Sequence, residues 1–142
     1  MNNQEAKGHS EKVPQEELQR NDGKVWFIPH HAVKHPQKGK VRVVFNCPAS
    51  YDGASLNNAL LQGPDLTNRL LGILLRWRKK DVAIMADIEA MYYQVNVPQH
   101  QRDMLRYLWW PNGDLSQNVQ EYRMKVLVFG AVSSPMVLLI IV

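Results

Sequence analysis

The order of apolar patterns along this chain predicts an α+β fold: a strand pair, a helix, a further strand, a hairpin and the start of a second helix. Three observations predict it. Val41-Arg42-Val43-Val44-Phe45 is rich in β-branched and aromatic residues, with Val41, Val43 and Phe45 on one face and Arg42 and Val44 on the other. Leu66, Leu70, Ile73, Leu74 and Trp77 recur at the three-to-four spacing of one helix face. Strand-like runs over 104–110 and 120–129 flank Pro111-Asn112-Gly113-Asp114, and Asn-Gly is a strong tight-turn signal.

Taken in order, residues 1–23 are almost all polar, and Val13 and Leu18 are their only sizeable apolar side chains up to Asp22. They read as a flexible arm or short exposed helix. Residues 24–135 form the expected folded unit. Trp26, Phe27 and Ile28 precede Pro29 and begin a first strand, and a basic loop through Lys38 and Lys40 leads to the second. Asp65 is an acidic start for the long helix, and Arg76, Arg78, Lys79 and Lys80 crowd its last turn, where cations suit the helix dipole. Val82 to Ala86 reads as a short buried strand that delivers Asp87 at its end. Ser133 and Ser134 offer an N-cap, and Pro135 suits a first helical turn. An apolar tail, 136–142, follows.

The totals bound the function classes. In 142 residues, 17 Lys and Arg against 13 Asp and Glu give a net charge of +4, which leans towards polyanionic partners such as nucleic acid. A 45% hydrophobic composition with four Trp, five Tyr and three Phe suffices for a core and excludes wholesale disorder. The single cysteine, Cys47, excludes an internal disulfide framework, and no leader-like segment opens the chain, so an intracellular location, cytoplasmic or nuclear, is expected. His30 and His31 point to opposite faces of a strand and lack partners at zinc-finger spacing, so they read as structural or RNA-facing.

The chemical signal is Ala86-Asp87-Ile88-Glu89-Ala90-Met91-Tyr92-Tyr93. Two carboxylates two residues apart at a strand end, followed by aromatic rings, could hold Mg2+, a hard cation that binds a few carboxylates together with phosphate oxygens. The same spacing is equally that of a solvated strand end or a helix cap.

Five phrases, however, occur in one collinear order: FIPHHAV at 27–33, GKVRVVFNCPAS at 39–50, SLNNALLQGPDL at 55–66, ADIEAMYYQV at 86–95 and FGAVSSP at 129–135. Together they resemble the reverse transcriptase of Pao/BEL-type LTR retrotransposons, over about residues 24–135. The resemblance implies an incomplete right-hand polymerase, fingers plus the start of a palm, that acts on an RNA or DNA template-primer and deoxynucleoside triphosphates with Mg2+ as cofactor. It makes Asp87 the catalytic, metal-binding aspartate, with the Ile88 carbonyl as a second metal ligand. It makes Tyr92 the ring beneath the sugar of the incoming nucleotide, although a tyrosine here could equally pack in a core. It makes Arg42 a triphosphate grip, a role that suits a planar donor fork, with Lys40 or Lys38 as the accompanying charge. Phe129 and Gly130 would belong to the loop that packs against the base, and Ser134 and Pro135 to the helix start behind it. Without the resemblance, Arg42 and its lysines read as the wet face of a hairpin.

One departure decides the activity expected. A two-metal polymerase surrounds cations about 4 Å apart with several carboxylates. In this family a downstream Tyr-x-Asp-Asp phrase supplies them, yet here no aspartate follows Asp114 and Glu121 is the only later acid. The chain therefore reads as a truncated polymerase, inactive alone, whose missing carboxylates a partner chain could supply. Two other readings remain: a noncatalytic nucleic-acid-binding module, and a tail-anchored fragment. Val126 to Val142 is uncharged over 17 residues, close to the ~20 that span a bilayer. Ser133, Ser134 and Pro135 in its middle argue against a membrane anchor.

Overall fold

The computed structural model describes every residue except His35, Gln37, Lys38, Lys40, Lys80 and Val142. It shows an α+β chain built on two antiparallel sheets. The helices are α1 (Asn2–Ala6), α2 (Leu56–Ala59), α3 (Leu70–Trp77) and α4 (Ser134–Ile141), and the strands are β1 (Ser10–Lys12), β2 (His30–Lys34), β3 (Val41–Phe45), β4 (Arg106–Trp109) and β5 (Gln120–Met124). One sheet has the order β1-β5-β4, and the other pairs β2 with β3.

The hairpin expected around Asn112-Gly113 is present: β4 and β5 pair with Tyr107 opposite Tyr122. Asn112 and Gly113 both take positive φ, 53° and 73°, as the turn signal requires. The connection is nevertheless the longer loop 110–119. Asp114 accepts hydrogen bonds from Ser116 and Gln117 and holds a second turn there. The fingers-like pair also forms, but its first strand starts later than expected. His30 pairs with Phe45 and Lys34 with Val41, whereas Phe27 only bridges Arg106, and the Ile28 amide donates to the Arg106 carbonyl. That contact joins the two sheets. His30 sits between them, its ring 6.0 Å from Phe45 and 5.7 Å from both Tyr107 and Trp109.

The N-terminal stretch is the largest correction. Instead of a flexible arm, β1 is an edge strand on β5, with Ser10 opposite Met124, and Val13 is buried. The physical reason is charge. Arg106 and Arg123 lie on the inner strands with 0% and 2% of their side chains exposed, and buried cations persist only when paired. Asp103 accepts from both, at 2.9 Å each, and also from Arg20. Glu11 and Glu17 pair with Arg123, Glu121 pairs with Arg106, and the Glu17 carbonyl takes a further Arg106 donor. The polar composition that suggests an arm is instead the counter-charge for this network. Burial pushes the Asp103 carboxyl up, but donors from Arg106, Arg123 and Arg20 outweigh it and hold the group below the ordinary carboxylate range.

The core gathers Ile28, Phe45, Cys47, Leu56, Val97, Leu105, Tyr107, Tyr122, Met124, Val126, Val128 and Ala131. Two sequence expectations fail outside it. Asp65 does not start the helix: its carboxylate accepts the Thr67 amide and hydroxyl in a local turn, and α3 begins only at Leu70. Val82 to Ala86 forms no strand, and Val82, Ile84 and Met85 are 77%, 86% and 86% exposed. The helix expected at Ser133-Ser134-Pro135 is present as α4, with Leu138 buried. Among the described residues, no helix is long and apolar enough to cross a membrane.

Candidate functional site

The site is built where three segments meet. After Met124 the chain keeps an extended pairing: the Val97 amide donates to the Lys125 carbonyl, the Leu127 amide to Val95, and Asn96 bridges Val126. Counting outward along this antiparallel register carries the 92–93 tyrosines to the level of Phe129 and Gly130. Tyr92 and Phe129 meet edge to face with ring centroids 5.5 Å apart. Phe129 is 68% exposed, so the pair forms an open aromatic platform rather than a core contact. Tyr93 is the packed neighbour, against the core, with its hydroxyl taking a donor from Gln4.

Gly130 is fixed by what stands behind it. Its φ is +117°, and a Cβ there would lie 2.8 Å from the Phe45 carbonyl oxygen, so only glycine fits. Asn57, on α2, then locks the loop from the other side: its amide nitrogen donates to the Gly130 carbonyl at 3.0 Å, and its oxygen accepts from the Val132 amide at 3.0 Å. Ser55 caps α2 by accepting from the Asn58 amide, which holds Asn57 in place. The Ser134 hydroxyl donates to the Val128 carbonyl and ties α4 to the same loop.

The structure thus brings Tyr92, Phe129 and Gly130 together beside the end of β3. Arg42 lies on β3, exposed, three residues before Phe45 and so roughly 10 Å along the strand. Lys40 and Lys38 lie outside the described residues. Asp87, Ile88 and Glu89 are exposed in irregular chain before Ala90, which turns the backbone with φ 52° into the Met91–Gln94 helical turn. Asn57 carries no titratable or nucleophilic chemistry, so sequence reasoning gave it no role. Its only signal was membership of the third phrase.

For Mg2+ the donor set does not fit. Among the described residues, no group of three or more His, Cys, Asp or Glu side chains stands close enough to hold a metal ion. Asp87 and Glu89 alone cannot make the oxygen clamp of a two-metal centre, so no step is derived through it. Cys47 is no nucleophile either, since burial pushes its thiol up to about 11. No family model matches the chain, and no curated protein matches it significantly.

Proposed function

We propose that this chain carries the fingers and the nucleotide-facing start of the palm of a Pao/BEL-type reverse transcriptase, and that it holds template and nucleotide without completing catalysis alone. One observation carries the reading: residues from all five collinear phrases, spread over 27–135, meet around one platform. His30 pairs with Phe45, the Phe45 carbonyl backs Gly130, Asn57 clamps Gly130 and Val132, and Tyr92 meets Phe129. Phrases without a common role have no reason to converge.

In this reading Tyr92 and Phe129 offer π-faces to the base and sugar of a deoxynucleotide, with stacking of about 1–3 kcal/mol per base. Arg42, with Lys40 or Lys38, grips phosphate, and Gly130 allows the close backbone approach. Asp87 is the one family carboxylate the chain offers. Mg2+-dependent synthesis then requires further carboxylates from another chain. The exposed, unclustered Asp87 and Glu89 favour a second reading, a nucleic-acid-binding module with no chemistry of its own.

Primer extension on an RNA template with Mg2+ and deoxynucleotides, beside Asp87→Ala and with template binding measured at two salt concentrations, tests both. The expected result is no extension and binding that weakens with salt. Extension abolished by Asp87→Ala would overturn the inactivity of the lone chain. Binding that is absent, or indifferent to salt, sinks the nucleic-acid assignment. Template binding unchanged by Tyr92→Ala and Arg42→Ala leaves only nonspecific charge.

A further inference from the structure

The apolar surface of α3 and the 82–86 segment is used by nothing described above. None of the α3 side chains is buried. After Trp77 the chain turns back, and Val82, Ile84 and Met85 line an open groove of about 580 Å³ against Leu70, Ile73 and Leu74. Leu71, Leu75, Trp77, Val82, Ile84 and Met85 are 70%, 58%, 44%, 77%, 86% and 86% exposed. Single exposed apolar residues are ordinary, but a contiguous patch of this size marks an interaction surface. Residues 82–86 also make no backbone hydrogen bond among the described residues, although their composition suits a strand. They are therefore an unpaired edge, a template for pairing with another chain.

Charge and area say which chain. Because the segment returns alongside α3, Arg76, Arg78 and Lys79 stand at one end of the patch and Asp87 and Glu89 beyond the other, all of them exposed. A patch basic at one end and acidic at the other is complementary to itself when turned about a two-fold axis, the condition for an isologous contact. The six apolar side chains named above expose on the order of 800 Å², about what each partner contributes to a standard stable interface. We propose that α3 and residues 82–86 form the interface of a two-fold homodimer. The two copies lie antiparallel, and the basic end of one patch faces Asp87 and Glu89 of its partner. This inference stands independently of the nucleic-acid reading.

Sedimentation velocity of the full chain across a hundredfold concentration range tests it. The expected result is a monomer–dimer equilibrium that stops at two copies. Leu71→Glu and Ile84→Lys, both at exposed positions, should give monomers with unchanged circular dichroism. Lys79→Glu should weaken the dimer at least tenfold, and Glu89→Lys in the same chain should restore it. A monomer at every concentration, open-ended association, dimers that survive Leu71→Glu and Ile84→Lys, or a charge-swapped double variant that stays weak would each overturn the proposal.

Discussion

Two residues set the loop that carries the aromatic platform. At Gly130 the positive φ and the Phe45 carbonyl 2.8 Å from any Cβ act together. Gly130→Ala should therefore lower stability in urea unfolding by about 1–3 kcal/mol, the range for a forced backbone conformation. Asn57→Ala removes a donor to Gly130 and an acceptor for Val132, and should cost about 1–3 kcal/mol for the groups left unpaired. The two changes act on one loop, so the double variant should fall short of the sum. A fully additive double variant would show that Asn57 holds something other than this loop.

At the scale of elements, the decisive unit is the N-terminal segment with the buried arginines of β4 and β5. Asp103→Asn leaves Arg106 and Arg123 short of a counter-charge and should cost about 3–5 kcal/mol, the penalty for breaking a buried pair from one side. The pH dependence follows from sign. Asp103 titrates lower folded than unfolded, so its stabilisation is present above the unfolded carboxylate value of 3.8 and is lost as pH falls through the folded one. Urea midpoints measured from pH 6 down to pH 2 should drop below about pH 4, and the drop should be shallower in Asp103→Asn. Deleting residues 1–22 removes Glu11, Glu17 and Arg20 together and strips β5 of its edge partner. Loss of cooperative unfolding is the expected outcome, and an intact transition would return the segment to the status of a free arm.

Across the whole molecule, order is uneven. The two sheets, the 95–97 pairing and α4 share the buried residues, whereas residues 61–71 are all exposed apart from none and 81–90 have no buried side chain. Native-state hydrogen exchange should accordingly protect the amides of β4 and β5 close to the global stability and leave 81–89 exchanging almost freely. Protection of 82–86 that grows with protein concentration would instead report the pairing between copies. The net charge of +4 acts at this scale too, as salt-dependent attraction for polyanions rather than as a feature of the fold.

Local chemistry made much of this legible. The alternation in Val41–Phe45, the Asn-Gly turn signal between β4 and β5, and Ser134-Pro135 at the start of α4 need only near neighbours, and each appears where the pattern puts it. The α+β class follows from their order. Patterns that depend on a distant partner misled. Val82-Ala83-Ile84-Met85-Ala86 has the composition of a buried strand, but a strand exists only where another backbone takes its hydrogen bonds, and none does. Leu66 has helical spacing, but Asp65 binds Thr67 first. The sequence by itself determined local turns, alternation and the collinear phrases. Tertiary structure alone decided that a polar N-terminus becomes an edge strand, that Asn57 reaches Gly130, and that Tyr92 meets Phe129, because charge pairing and close packing join residues tens of positions apart.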